Sequence, residues 1–172
     1  MIWNEAKECM SREEIRALQS ARLVKTVNEV YHNVPYYRAK MQAAGIEPSD
    51  IKGIEDLHKL PYTTYEDLNK ADPFGLSAVP RSELVRVHAS SGTTGKPKIG
   101  VYTRRDIETW SECVARCLTM AGLTKEDTIQ VGYGYGLFTG GLGAHYGAEY
   151  MGALVLLMST GNTKQFLDMM ID

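Results

Sequence analysis

A loop rich in hydroxyl groups, glycine and lysine is the part of this 172-residue sequence best suited to chemistry. It runs from Ser90 to Lys98, reads SSGTTGKPK, and has β-prone residues on both sides. Its two glycines can adopt positive φ, so that successive backbone N–H groups converge on phosphate oxygens, while Lys96 adds positive charge. The pattern indicates an anion cradle. A flexible polar hairpin loop is the alternative that this composition also permits.

The loop departs from the nucleotide-binding pattern GxxxxGK[ST]. Ser90 stands where the first glycine of that pattern would be, and Pro97 stands where Ser or Thr would bind magnesium. Pro97 also biases Lys96 towards an extended backbone, so the loop does not lead directly into a helix. The sequence therefore disfavours a standard P-loop ATPase or kinase.

A second candidate region, from Val131 to Gly152, holds eight of the 16 glycines. Glycine inside a helix costs ~1 kcal/mol relative to alanine, so this density requires a close backbone approach to a ligand or to a neighbouring element. Tyr133, Tyr135 and Phe138 offer flat apolar walls that suit an aromatic ligand. Tight helix packing with aromatic filler explains the pattern equally well, and the glycine spacing misses the dinucleotide pattern GxGxxG.

Other polar residues near these regions have two interpretations each. His145 could act as a base or ligand, but a single histidine in a helical stretch is more typical of hydrogen-bonded packing. His88 ends a predicted strand just before the loop and could orient it. Arg104 and Arg105 either begin a solvated helix or face the bound anion.

Charge is concentrated around the loop. The whole chain has a formal charge of -2, which gives no global field for a nucleic acid, whereas residues 81–105 carry six basic and one acidic side chain. The longest apolar run, Ala153 to Met158, is far shorter than the ~20 residues of a spanning helix. We expect a local anion site, no membrane segment and no nucleic-acid partner. The three cysteines have no further ligands nearby, which predicts no metal site and fits reduced thiols in the cytoplasm.

Short helices are predicted for the first half of the chain. Ser11 and Glu14 form a capping box before a long amphipathic helix over 12–33, and a short helix over 37–44 ends at Gly45. Thr64 with Asp67 marks a third helix. We predict a helical region over residues 1–83.

Strands and helices alternate in the second half. Runs of β-prone residues flank the loop, a helix begins after Thr103 and stops at Gly122, and strands are predicted over 128–131 and 153–158 with the glycine-rich helical stretch between them. A last helix begins near Thr163. This order predicts an α/β layer with parallel strands over residues 84–172. Because an apolar helix face runs to the last residue and strong strand candidates are few, we expect this chain to be the front of a longer one.

These motifs together resemble one enzyme superfamily. SSGTTGKPK resembles the phosphate-binding signature of the adenylate-forming enzymes, which include the acyl- and aryl-CoA synthetases. GYGLFTGGLGAHYGAE is similar to the acid-binding segment of the phenylacetate-CoA ligases, and NVPYYR with LPYTTYEDLNKADPFGL is similar to the N-terminal region of that branch. The resemblance covers essentially the whole chain and implies the N-terminal part of the large α/β domain of such an enzyme.

The resemblance implies a reaction in two steps with ATP, CoA and phenylacetate as substrates and Mg²⁺ accompanying ATP. The acid carboxylate attacks the α-phosphorus of ATP to give an acyl adenylate and pyrophosphate, and the thiol of CoA then displaces AMP. By carry-over, Lys96 acts in catalysis, and the phosphates are held by Ser90, Ser91, Gly92, Thr93, Thr94, Gly95 and Lys96. The acid would be bound by Tyr133, Tyr135, Phe138 and Gly140.

The later motifs of that family have no counterpart in the sequence, so the resemblance also implies that the isolated chain makes no acyl adenylate at a useful rate. The partners it implies are the small-molecule substrates and the remainder of a ligase chain, with a homodimer as one assembly open to it. Three alternatives remain: a ligase of another aryl acid, a nucleotide- or anion-binding module without catalysis, and an interaction fragment that needs a partner chain.

Overall fold

The protein is described by a computed structural model that covers residues 1–70, 72, 74–92 and 97–171. It forms two compact units. One comprises Cys9–Leu84, and the other comprises Met1–Glu8 together with the chain from Val85 onwards. As domains, the predicted regions 1–83 and 84–172 stay a prediction, and the first eight residues lie with the second unit rather than with the helical one.

The Cys9–Leu84 unit is helical, as its sequence predicts. Its helices are α2 (Arg12–Asn33), α3 (Pro35–Ala43) and α4 (Tyr65–Lys70), with 3₁₀ turns at Pro48–Asp50, Ile54–Lys59 and Arg81–Glu83. The predicted capping box forms at the start of α2, because Ser11 accepts from the Glu14 N–H and Glu14 accepts from the Ser11 N–H. Val27, Met41 and Ile51 form the core of this unit.

One ion pair connects the short helices of this unit. Lys40 on α3 donates to Asp67 on α4 at 2.6 Å and to the Tyr36 hydroxyl at 2.9 Å. These bonds, together with those from Thr64, hold the pKa of Asp67 well below its ordinary value. The predicted cap of α4 is present, because the Asp67 carboxylate accepts from the Thr64 N–H. A polar bridge thus supports a unit whose apolar core is small.

The second unit alternates strands and helices. After α1 (Glu5–Glu8) it contains β1 (Leu84–Ala89), β2 (Ile99–Thr103), α5 (Arg104–Met120), β3 (Thr128–Gln130), α6 (Gly140–Met151), β4 (Leu154–Leu156) and α7 (Thr163–Ile171). Thr103 and Asp106 form the predicted capping box of α5. The predicted stop after α5 also forms, with Gly122 at φ 101°.

The strands of the described residues form two separate pairs rather than one continuous layer. β1 neighbours β2, and β3 pairs with β4. The second pair is parallel, with Thr128 opposite Leu154 and Gln130 opposite Leu156, and α6 makes the connection between the two strands. The parallel β-α-β expectation is therefore confirmed for this pair.

Helices α5 and α6 pack together over β3 and β4. Ala115 from α5 and Met151 from α6 are buried in one cluster with Ala153, and Ile129 of β3 packs against it. This layer carries the glycine-rich stretch and so decides where its aromatic residues lie.

Residues 1–8 are connected to α5 by hydrogen bonds and ion pairs. Glu112 accepts from Lys7 and from Asn4, and it also pairs with Arg116. These partners lower the pKa of Glu112 to about 2, Lys7 having the largest effect and Arg116 the next. Trp3 lies with its ring 6.2 Å from that of Tyr150 on α6. No helix among the described residues has the length and apolarity to cross a membrane.

Candidate functional site

The two ends of the predicted phosphate loop are held together. The Ser90 N–H donates to the Lys98 carbonyl at 3.0 Å, and the Lys98 N–H donates to the Ser90 hydroxyl at 2.9 Å. Ser91 is exposed, and Gly92 has φ 67°, the left-handed conformation that glycine tolerates. The other predicted phosphate ligands, Thr93, Thr94, Gly95 and Lys96, lie outside the described residues.

A cavity of about 310 Å³ opens beside this closed end of the loop. Ser90 and Lys98 line it from the loop, and Phe138 lines it from the glycine-rich stretch. The remaining lining residues are His88, Ala89, Ile99, Gly100, Tyr102 and Thr139. The volume lies at the lower end of the range for small-molecule sites. The fold therefore brings one predicted phosphate ligand and one predicted acid-binding residue to a single cavity.

Several of these lining residues are absent from the sequence-based predictions. Of the four lining residues on β2 and its entry, all but Ile99 recur at every second position, which is the period of one face of a strand: Lys98, Gly100 and Tyr102. That alternation is the signal that could have identified them. Thr139 carries no comparable signal, because it lies between the loop that holds Phe138 and the first turn of α6.

The other predicted acid-binding residues do not line this cavity. Tyr133 is about half exposed, and a Cβ atom at Gly140 would lie 2.7 Å from the Tyr133 ring. The two residues are thus in contact with each other, and Gly140 leaves room for that ring. Phe138 is also about half exposed, with part of its ring free to contact a ligand.

Tyr135 belongs to a row of polar groups on the α6 side. Its hydroxyl lies 3.5 Å from Nδ1 of His145, and Nε2 of His145 lies 3.2 Å from Glu149. Burial raises the pKa of Tyr135, and the negative charge of Glu149 adds to this. His145 is hydrogen-bonded between two neighbours, the arrangement that the packing interpretation predicts.

Glycines of α6 serve helix packing. A Cβ atom at Gly143 would lie 2.7 Å from the Trp110 ring, and one at Gly147 would lie 2.3 Å from Val114. One at Gly141 would lie 2.5 Å from the backbone oxygen of Gly134. Because real Cβ atoms do not approach so closely, these positions accept only glycine without a shift. Close packing thus explains these three glycines, while the aromatic wall is carried by the loop before the helix.

The basic residues around the loop take different positions. Arg104 and Arg105 are exposed in the first turn of α5, and the Arg86 guanidinium lies over the Tyr146 ring at 4.3 Å. The described residues contain no group of three or more His, Cys, Asp or Glu side chains that could hold a metal ion. The cysteines of the chain are all free.

Comparison with known proteins gives a consistent set of relatives. No family model matches the sequence. The chain is 53% identical over 158 residues to the phenylacetate-coenzyme A ligase of Escherichia coli (strain K12), which covers 92% of this chain and 36% of that protein. It is 49% identical over 168 residues to the phenylacetate-coenzyme A ligase of Aromatoleum evansii, covering 98% of this chain and 38% of that protein. The chain thus spans little more than a third of the length of the curated relatives it matches.

Solved structures agree in fold. A 2-hydroxyisobutyryl-CoA ligase in an open conformation, in complex with 2-HIB-AMP and CoA, superposes with a TM-score of 0.87 at 29% identity, over 98% of this chain and 41% of that one. The same enzyme in the thioesterification state gives a TM-score of 0.88 at 30% identity, over 98% and 38% of the two chains. The expected α/β fold of a CoA ligase is therefore confirmed.

Proposed function

We propose that this chain, which belongs to the phenylacetate-CoA ligase family, supplies the phosphate loop and one wall of the acid pocket of an AMP-forming phenylacetate-CoA ligase. The overall reaction converts ATP, phenylacetate and CoA into phenylacetyl-CoA, AMP and diphosphate. The observation that carries the proposal is the cavity shared by Ser90 and Phe138. It supports the proposal because the proposed phosphate loop and the proposed aromatic wall both border a space that one small ligand could occupy.

The phosphate side of the proposal depends on the loop. Two hydrogen bonds between Ser90 and Lys98 close its neck, and the positive φ of Gly92 turns the chain directly after Ser91. Such a turn exposes successive backbone N–H groups, which can hold the β- and γ-phosphates together with the loop hydroxyls. Lys96 would stabilise the negative charge that develops on the departing diphosphate.

The acid side depends on Phe138. Phe138 lines the cavity and is about half exposed, so an aryl ring can cover apolar surface there when it binds. Tyr133, Tyr135 and Gly140 stay proposed acid-binding residues, since they lie on the same glycine-rich stretch. Burial of the phenyl group orients the carboxylate at its other end towards the loop, and this positioning is the contribution of the chain to the first step.

In that step a carboxylate oxygen forms a bond to the α-phosphorus, and the bond from this phosphorus to the bridging oxygen of diphosphate breaks. In the second step the sulfur of CoA bonds to the acyl carbon, and AMP leaves. Mg²⁺ would accompany ATP, although the described residues contain no group of three or more His, Cys, Asp or Glu side chains that could hold a metal ion. We also propose that the protein acts in the cytoplasm and together with the remainder of the ligase chain. A homodimer is one assembly open to it.

The proposal is tested with the complete gene product. Pyrophosphate release is measured with phenylacetate, benzoate and short fatty acids, for the wild type and for Phe138→Ala. We expect phenylacetate to give the highest kcat/KM, and Phe138→Ala to lower it about fivefold while leaving short fatty acids nearly unchanged, because Phe138 lines the cavity but is about half exposed and so contributes only part of its apolar surface.

Leu137→Ala is the matched control, since Leu137 is adjacent, two-thirds exposed and absent from the cavity lining. Equal relative rates for all acids in Phe138→Ala would remove Phe138 from the acid site. A reading frame that stops after Asp172, with nucleotide binding but no pyrophosphate release, would favour a binding module instead.

A further inference from the structure

His88 is the most completely buried ionisable side chain at the cavity, with 3% of its surface exposed. Its Nδ1 atom lies 2.9 Å from the backbone carbonyl oxygen of Leu137. A carbonyl oxygen can only accept, so Nδ1 carries the hydrogen and donates it. The other ring nitrogen, Nε2, is buried and has no hydrogen-bond partner among the described residues.

The backbone carbonyl of Leu137 accepts two hydrogen bonds from the end of β1. It accepts from His88 and also from the Ala89 N–H at 3.0 Å. Ser90, the first residue of the loop, follows directly after Ala89, and Phe138 follows directly after Leu137. One carbonyl group thus connects the phosphate loop with the aromatic wall.

Two aromatic rings fix the plane of the imidazole. Tyr102 from β2 and Trp110 from α5 both meet it edge to face, with ring centres 5.5 and 5.4 Å away. The Tyr102 and Trp110 rings in turn stack on each other at 5.6 Å. The contacts with both rings restrict tilting of the imidazole, and so they favour the direction of its N–H bond towards Leu137.

We propose that His88 is a positioning residue that sets the spacing between the phosphate loop and the acid wall of the ligase. This inference rests on the proposed function, in which the acid carboxylate must meet the α-phosphorus. Small errors in such positioning are costly, because the reacting atoms must be held in near-contact geometry.

The Nε2 atom of His88, which has no partner among the described residues, supports a role beyond packing. A buried nitrogen without a partner costs free energy, and a phenylalanine would fill the same aromatic niche without that cost. The hydrogen bond from Nδ1 to Leu137 is the one described interaction that an apolar ring could not make. We therefore attribute the presence of a histidine at position 88 to its bond to the Leu137 carbonyl. That bond also positions Phe138, the next residue in the chain.

The test compares His88→Phe with His88→Asn in the complete gene product. Phenylalanine keeps the aromatic contacts but cannot donate to the Leu137 carbonyl. The side-chain amide of asparagine has an N–H group near the position of Nδ1 and can still donate. We expect His88→Phe to raise the KM for phenylacetate about tenfold, the value of one hydrogen bond, and to leave the KM for ATP unchanged. His88→Asn should restore most of the wild-type KM for the acid.

The inference is overturned if His88→Phe keeps the wild-type KM for the acid, or if the KM values for acid and ATP rise together. It is also overturned if His88→Asn is impaired as much as His88→Phe. Should His88→Phe fail to fold, His88→Gln makes the same comparison with His88→Asn, because its amide lies beyond the Nδ1 position. A wild-type protein that releases no pyrophosphate with any aryl acid would instead contradict the proposed function.

Discussion

The loop from Ser90 to Lys98 and the helix α6 are both rich in glycine, but they use it for opposite purposes. In the loop, Gly92 supplies a positive φ beside an exposed serine. In α6, Gly143 and Gly147 are buried in ordinary helical backbone and supply only the missing Cβ atom. In the loop a glycine provides a backbone conformation that suits the proposed phosphate site, and in α6 the glycines let two helices approach closely.

The difference separates two kinds of failure. Substitutions in the loop should affect binding and catalysis while the fold persists, because its described side chains are largely exposed. Substitutions at the α6 glycines should destabilise the fold, because Trp110 and Val114 occupy the space where a side chain would go.

The largest effect is expected from Lys96→Ala in the complete gene product. Loss of a positive charge that stabilises the departing diphosphate should lower kcat for pyrophosphate release about 10²-fold or more, while the melting temperature stays within about 1 °C of the wild type. Lys125→Ala is the control, since Lys125 lies between α5 and β3 and its side chain is largely exposed. If Lys96→Ala keeps wild-type kcat, the loop has no part in catalysis.

Gly147→Ala is expected to destabilise the protein by about 1–3 kcal/mol, because the added Cβ atom would lie 2.3 Å from Val114. Urea unfolding monitored by circular dichroism measures the effect. The matched control is Gly136→Ala, where nothing lies within 4 Å of an added Cβ atom. Equal unfolding free energies for the two variants would mean that α5 and α6 do not pack as closely as the structure has them.

The smallest effect on stability is expected from the Glu112 cluster on α5, in which Glu112 accepts from Lys7 and pairs with Arg116. Because the pKa of Glu112 falls from 4.5 to about 2 on folding, its contribution is present above pH 4.5 and is lost as the pH falls towards 2. Lys7 is partly exposed, so the contribution is no more than about 1 kcal/mol.

Urea unfolding at several pH values measures this contribution. Between pH 4.5 and 2, Glu112→Gln should lose less stability than the wild type, while Glu108→Gln, an exposed position on the same helix, should follow the wild type. Parallel pH profiles for all three proteins would exclude a role for the Glu112 cluster in folding.

Local signals in the sequence account for most of the secondary structure. The capping boxes at Ser11 and Thr103 and the glycine after α5 involve residues within one or two helical turns of each other. They can therefore be predicted from neighbouring residues in the sequence. The parallel pair β3 and β4 follows from the strand–helix–strand order. The separation of the strands into two pairs has no such local signal.

The site divides in the same way. The residue types of the loop and of the aromatic segment indicate an anion and an aryl ligand. Hydrogen-bond donors and positive charge suit anions, and flat apolar side chains suit aryl rings, whatever their position in the fold. Which aromatic residue meets the cavity depends on the turn before α6. Phe138 lines it, while Tyr133 contacts Gly140 and Tyr135 lies near His145.

Residue types and their local spacing therefore predict the local elements and a candidate chemistry: a loop suited to anions, an aromatic segment, capped helices and a parallel α/β unit. The hydrogen bond from His88 to the Leu137 carbonyl, 49 residues away along the chain, emerges only from the packed fold. A cap or a turn, by contrast, is stabilised by its neighbours in sequence. Such a long-range hydrogen bond forms only where packing of Tyr102 and Trp110 holds the ring in place.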